Sequence, residues 1–494
     1  MKIIYIIVIA LSVSLQSFGQ ASDSYTKAIE DNTKAIELNP NDTDAYNNRG
    51  VAYYFSGNYI KAIDDYTKAI GLKPNYAEAY NNRGIAYNSS DGYTKAIDDF
   101  TKAIELKTDY VRAYYNRGIA YAHLNNYTKA INDFTKTIEL ETDFADAYYN
   151  RGLVYTYLKN YTKAIDDYTK TITLSPDYAE AYNSRGNAYN NLRNYAKAIG
   201  DFTKAIELKT DYADAYYNRG LAYAYLSNYI KAIDDFTKAI ELKIDYVDAY
   251  YNRGFAYAHL NNYTKAINDY TKAITLKPDY TDAYNNRGNA YSDISNYTKA
   301  IDDYTKAITL NPYYVQVYYN RGLAYDNSGN YTKAIDDYTK AITLNPNYAE
   351  TRYNRGLAYA HLNNYTKAID DFTKAIELKT DYADAYCYRG LAYYYLSNYT
   401  KAIEDNTKAI TLKPDYAKAY NNRGLAFSHS GNYVKATDDF TKAIELKPDY
   451  DEPYNNRGIA YYDLGNHIKA CKDWEKAIEL KSEEAAANLN KYCK

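Results

Sequence analysis

Four of the five histidines, His123, His259, His361 and His429, occupy one place in a 34-residue register. A row of imidazoles could bind a metal or move a proton. Neighbours in this row lie four, three and two repeats apart. At roughly 8–10 Å per packed helix layer, even the closest two stand far beyond the ~2 Å bonds of a shared metal. His467 takes the place of a Tyr. The 62 Asp and Glu residues are spread by the same periodicity and not gathered into an acid–base pair. No Gly-rich phosphate loop, nucleophile elbow or metal-spaced Cys/His set appears. No catalytic, cofactor or metal site is therefore expected, and an enzyme is the least expected class.

The register itself dictates the elements. Thirteen Arg-Gly pairs, from Arg49-Gly50 to Arg457-Gly458, recur every 34 residues without insertion or deletion. That is one structural unit copied thirteen times, each touching mainly its neighbours. In the unit 77–110, Ala79, Tyr80, Arg83, Gly84 and Tyr87 recur at helical steps, Ser89-Ser90-Asp91-Gly92 breaks the pattern, and Ala96, Phe100, Ala103 and Ile104 line a second helix. Eight of the nine prolines sit where the second helix must stop. In Pro176-Asp177-Tyr178-Ala179-Glu180 the Asp and Glu stand at capping-box spacing, so Asp177 is expected to cap the next helix. Two short antiparallel helices per unit, joined by polar loops, make an all-α solenoid.

Tyr284, Gly288, Tyr291, Ala300, Tyr304, Ala307 and Pro312 follow the pattern of the tetratricopeptide repeat family, which the chain resembles from about residue 25 to 484. The resemblance implies a right-handed superhelix of helix-turn-helix repeats whose first helices line a concave groove for ligands. Mapped onto this chain, the groove would carry Asn81, Asn82, Tyr115, Asn116, Tyr149, Asn183, Tyr217, Asn218, Tyr251 and Asn252, preceded by acids such as Asp214 and Asp248. Amides can clamp a peptide backbone, tyrosines offer stiff contact area, and acids favour a basic partner. The same acids sit in the first turn of a helix, where negative charge is favoured anyway. Capping and ligand selection both remain open for them. A carboxylate clamp is not expected, because only Arg112 and Lys418 bring positive charge to the acid position. Where the family has Leu before Gly this chain has Arg, and an inward charge needs a partner. We expect Arg83 to bond Asp99 and Arg287 to bond Asp303, in preference to a basic ladder for anionic ligands. Asp302 and Lys306, four residues apart, are expected to pair on a solvated convex face that also carries Lys299.

The ends differ from the array. Lys2, the apolar run from Ile3 to Leu15 and Ser17-Phe18-Gly19 read as a signal peptide over residues 1–19. Residues 20–42 read as a partial repeat holding only its second helix, 43–484 as the thirteen repeats, and 485–494 as a capping helix. Cys471 and Cys493 could bridge that cap to the array in an oxidising compartment, or stay as two thiols. With 59 basic against 62 acidic residues, wholesale attraction to nucleic acid is not expected, nor is membrane insertion once the leader is cut. The expected protein is an exported scaffold, in the periplasm, cell envelope or extracellular space, that binds protein or peptide segments without a cofactor. Carbohydrate or cell-wall binding through the Tyr/Asn groove, or a spacer without a selective ligand, are the alternatives.

Overall fold

The computed structural model describes the backbone of residues 15–493 and the side chains of 24–493. A leader over residues 1–19 lies outside them, apart from the backbone of 15–19. Among the described residues there are 28 helices and no strand. Two compact halves, residues 1–244 and 245–494, divide them. In the N-terminal half a lone helix, Leu15–Leu38, precedes six helix pairs running from Thr43–Phe55 to Tyr229–Leu242. The C-terminal half holds seven pairs, from Val247–His259 to His467–Glu479, and a last helix, Glu483–Tyr492. Each pair is one repeat, with an A helix of 13 residues and a B helix of 14 in nearly every copy.

Local chemistry explains the boundaries. The A–B turn places one residue in the left-handed region, such as Asn125 at φ 58° or Gly329 at φ 79°. An Asn then caps the B helix: Asn160 Oδ1 accepts from the Lys163 N–H at 3.3 Å. Asp177 does not cap the following A helix. Tyr178 holds the N-cap place of Ala179–Asn191 and makes no side-chain cap bond. Packing decides this, because the Tyr178 ring lies 4.9 Å from Tyr149 and its hydroxyl donates to Asp146 Oδ1 at 3.2 Å. Asp42 alone keeps the expected role, accepting from the Ala45 N–H at 2.9 Å at the first A helix.

Inside each repeat the two helices meet at a glycine. A Cβ on Gly186 would lie 2.6 Å from Phe202 Cε1, and one on Gly288 would lie 2.7 Å from Tyr304 Cε1. The ring fills the space the missing side chain leaves, and Phe202 is fully buried. Alanines such as Ala198 and Ala205, also fully buried, complete the contact. Departures are repaired locally: Thr137 and Thr171, in alanine places, donate to the carbonyls of Asp133 and Asp167 at 2.9 and 3.0 Å. Asn406 replaces the aromatic and is repaired only in part: Nδ2 donates to Ala402 O at 2.8 Å, while its buried Oδ1 finds no partner.

The repeat 179–212 offers an internal control, because a Cβ on its second glycine, Gly200, would meet nothing within 4 Å. Gly200→Ala is expected to stabilise the B helix by about 0.5–1 kcal/mol. Gly186→Ala should destabilise the same repeat by about 1–3 kcal/mol through forced displacement of Phe202. Hydrogen-exchange opening energies of the helix Tyr195–Leu208 read both, and equal effects would refute the close contact.

Candidate functional site

Arginines before the repeat glycines are held by two helices besides their own, as at Arg83. Arg83 Nε donates to Asp99 Oδ2 at 2.8 Å and Nη2 to Asp99 Oδ1 at 2.7 Å. Its Nη1 reaches back to Thr67 Oγ1, on the B helix of the preceding repeat, at 3.0 Å. Arg287 does the same with Asp303 at 2.8 and 2.7 Å and with Thr271 at 2.9 Å. All thirteen Arg–Asp pairs form. Nothing in the repeat's hydrophobic period flags the threonine. Burial is the larger influence on the Asp99 carboxyl and raises it, while Arg83 opposes. The Asp99 carboxylate in turn holds the Arg83 guanidinium protonated. Two donors aimed at two carboxylate oxygens define an ionised, forked pair. Much of its attraction offsets its own desolvation, so orientation is its main contribution.

On the A-helix face the expected groove residues bond mostly to one another. Asn82 Nδ2 donates to Asn47 Oδ1 at 3.2 Å, Asn116 to Asn81 at 3.3 Å, and Asn218 to Asn183 at 3.1 Å. Where the acceptor place holds Tyr, the phenol substitutes: Asn150 donates to Tyr115 at 2.8 Å and Asn286 to Tyr251 at 2.9 Å. Asn252 Nδ2 donates to the Asp248 carbonyl at 2.8 Å. Apart from this last bond, which stays within one helix, the links run from a repeat to the one before it. Asn81 and Asn183 are buried, against the expectation of open clamps.

The tyrosines are wedges. Tyr115 packs between Phe134 and Phe144 with centroids 5.9 and 4.8 Å away, and Tyr149 between Tyr168 and Tyr178 at 5.8 and 4.9 Å. Tyr217 lies on Phe236 at 5.8 Å. Tyr251 lies on Tyr270 and Tyr280 at 5.8 and 4.8 Å, and burial foremost pushes its phenol up to about 12. The acids stay more accessible, with Asp44, Glu78, Asp146 and Asp248 exposed and Asp214 half-buried. Several accept a hydroxyl from the next connector, as Asp44 from Tyr76 at 2.9 Å and Asp282 from Tyr314 at 3.0 Å. That role was in neither sequence reading of them.

The ladder changes near Cys387, which is fully buried and accepts from Asn422 Nδ2 at 3.4 Å. Burial pushes its thiol up to about 12. Beside it Lys418 Nζ donates to Tyr388 at 2.8 Å. At the C-terminal end a disulfide joins Cys471 to Cys493 across 22 residues, with Cα atoms 5.8 Å apart. Asn488 of the last helix donates to Asn455 at 2.9 Å, and so adds one more rung to the ladder.

Histidines and lysines serve packing. His123 stacks on Tyr93 at 4.5 Å and His361 on Tyr331 at 4.6 Å, while His259 meets Phe255 edge-on at 4.4 Å and His429 meets Tyr394 at 5.0 Å. Among the described residues no group of three His, Cys, Asp or Glu is arranged to hold a metal. The expected Asp302–Lys306 pair is not among the ion pairs of the described residues. The lysine in that place pairs forward instead where Glu follows three residues on, as Lys102 with Glu105 at 3.0 Å. Lys299 lies over the Tyr291 ring at 5.4 Å.

Comparison with known proteins bears on most of the chain. The family described as "Tetratricopeptide repeat" matches residues 43–76 and ten consecutive 34-residue windows from 111 to 450. A second family of that description matches 451–484, and "TPR repeat" matches 21–57 and 86–125. Similar solved structures include the APC/C hetero-tetramer Cut9-Hcn1, 16% identical over 92% of this chain and 96% of that one, with a TM-score of 0.41. A tetratricopeptide repeat protein from Parabacteroides merdae ATCC 43184 is 20% identical over 50% of this chain and 99% of its own, with a TM-score of 0.42. YrrB, described as a TPR protein with an unusual peptide-binding site, is 29% identical over 37% of this chain and 95% of its own, with a TM-score of 0.34. No curated protein matches the chain.

Asp303→Ala should strand the Arg287 charge and destabilise its repeat by about 3 kcal/mol. The double variant Arg287→Met with Asp303→Leu should recover at least half of that loss, as read by hydrogen exchange in Tyr297–Leu310. A double variant no better than the single would show the pair to be a large net stabiliser. Burial lowers the His123 imidazole, so the folded state holds it neutral where the unfolded chain begins to protonate. Its contribution is fully present above the unfolded value of about 6.5 and is lost as pH falls below it. Protection of the helix Val111–His123 should fall over that window, and His123→Phe should remove the fall.

Proposed function

The chain belongs to the tetratricopeptide repeat family, and from that premise we propose that it is an exported scaffold binding extended protein segments along its A-helix faces, with basic segments preferred. The family is a non-catalytic repeat scaffold that generally mediates protein–protein interaction. The observation that carries the finer reading is the row of acids in the first turns of successive A helices: Asp146, Glu180 and Asp214 in three consecutive repeats. Beneath them the amide ladder and the tyrosine wedges are mostly satisfied, Asn150 Oδ1 being a buried exception, which gives a stiff face with little to reorganise on binding. The acids project from that face and would meet Lys or Arg side chains, or an amine, while the peptide backbone lies over the amides.

Two features support export. The leader-like pattern of residues 1–19 is one. The other is the Cys471–Cys493 disulfide, a bond that persists in oxidising compartments. Periplasm, cell envelope and extracellular space all fit.

Tyrosine truncation is a poor test, since Tyr149 and Tyr217 wedge the core. Charge removal is milder, because an Asn at 146 can still accept from Tyr178 and Glu180 loses only an exposed pair with Lys209 at 3.4 Å. Asp146→Asn, Glu180→Gln and Asp214→Asn together should weaken binding of an extended Lys-containing peptide about tenfold, at roughly 0.5 kcal/mol per surface charge pair. Calorimetry with that peptide, its Glu-containing counterpart and a chito-oligosaccharide separates the classes. Equal affinity of the triple variant would refute acid-guided binding, and a preference for the oligosaccharide would favour the carbohydrate alternative.

A further inference from the structure

We propose that the edge of the N-terminal half built from its A–B turns docks peripherally on an anionic lipid bilayer. Large exposed apolar side chains are concentrated there. Leu124, Leu158, Leu192 and Leu226 open four consecutive turns, each 46–52% exposed. Tyr225, 64% exposed, precedes the last of them, and Ile230, 66% exposed, stands on its far side. A row of this kind along one edge is the sort of apolar surface that marks an interaction site.

The charge on that edge is almost wholly of one sign. All six B helices of the half present their N-termini to it, and none has an acid in its first turn. Each has a lysine at its third position, against the usual preference of a helix start for negative charge. Lys163, Lys197 and Lys231 are exposed, with ammonium groups 5.3–5.4 Å from tyrosine rings at the ends of their own A helices. Lys159 and Arg193 add a cation to two turns, and Asp91 is the single acid in the six turns. The next acids, such as Asp166, lie a helical turn deeper on the B helix. Acids of the A helices begin at the opposite edge, with Asp44, Glu78, Asp146, Glu180 and Asp214. A near-neutral chain thus carries a cationic, apolar-tipped border.

An anionic bilayer meets both parts of this pattern. Lysines and helix starts would face lipid phosphates while leucine and tyrosine tips enter the interfacial zone. It also satisfies every repeat alike, since a fluid headgroup layer adapts to any spacing. A folded acidic protein would need anions and apolar pockets at the same period, and a second copy laid edge to edge would present cations to cations. No helix among the described residues is long and apolar enough to cross a membrane, so the contact is peripheral. This surface is separate from the A-helix face, and either can fail without the other.

The test is co-sedimentation of the full mature chain with phosphatidylcholine vesicles, with and without phosphatidylglycerol. Binding is expected only with phosphatidylglycerol, and it should weaken as salt rises. The set Lys163→Glu, Lys197→Glu, Lys231→Glu and, separately, Leu158→Glu, Leu192→Glu, Leu226→Glu should each reduce it about tenfold, with helical circular dichroism unchanged. All six side chains are exposed, so both sets should fold. Three results would overturn the proposal: absence of binding, equal binding to neutral vesicles, or binding indifferent to both sets. Preferential capture of a Glu-rich peptide over the vesicles would assign the edge to acidic protein and overturn it too.

Discussion

A charged guanidinium inside a helical stack must be satisfied from more than one side, and that requirement organises this protein. Within a half, a repeat arginine has donors in a fixed plane: two meet the aspartate of its own B helix, and a third meets a threonine on the B helix before it, as in Arg151 with Asp167 and Thr135. The fork sets rotation as well as distance, which a lysine's single ammonium could not do. Just beyond it the repeat glycine lets an aromatic ring slide under the A helix, so Gly152 meets Tyr168 where any side chain would collide. One contact sets the separation of the helices and the other their orientation.

Once the helices are placed, the A-helix face largely satisfies itself. Amides bond from repeat to repeat, and where an aromatic takes the acceptor place its hydroxyl does the same work, as Tyr319 does for Asn354 at 3.0 Å. What stays accessible is charge at the two edges of the repeat: acids where A helices begin, lysines where B helices begin. Binding chemistry therefore sits at the margins of a polar lattice whose interior is structural.

Much of this was legible in the sequence, for a physical reason. An unbroken 34-residue register admits one repeating packing, so the helix pairs and the arginine partner followed from periodicity plus the cost of an unpaired inward charge. The threonine of the clamp was not legible, because its partner lies on another repeat and the residue itself looks like any helix-surface threonine. The amide ladder was missed for the same reason: Asn82 and Asn47 are 35 residues apart and look solvent-facing on a single helix. Asp177 misled because local capping geometry ignores the ring of Tyr178, which packing draws into the N-cap place. The B-helix caps were in plain view, since Asn stands just before the first turn in nearly every copy, from Asn58 to Asn466.

The central claim is that the arginine clamp couples neighbouring repeats and does more than fasten one. Hydrogen exchange on Arg185→Lys tests it most directly, since charge is kept while the fork to Asp201 and Thr169 is lost. Protection should fall together in Tyr195–Leu208 and in the preceding B helix, Tyr161–Leu174. A loss confined to the variant's own repeat, or no loss at all, would contradict the account.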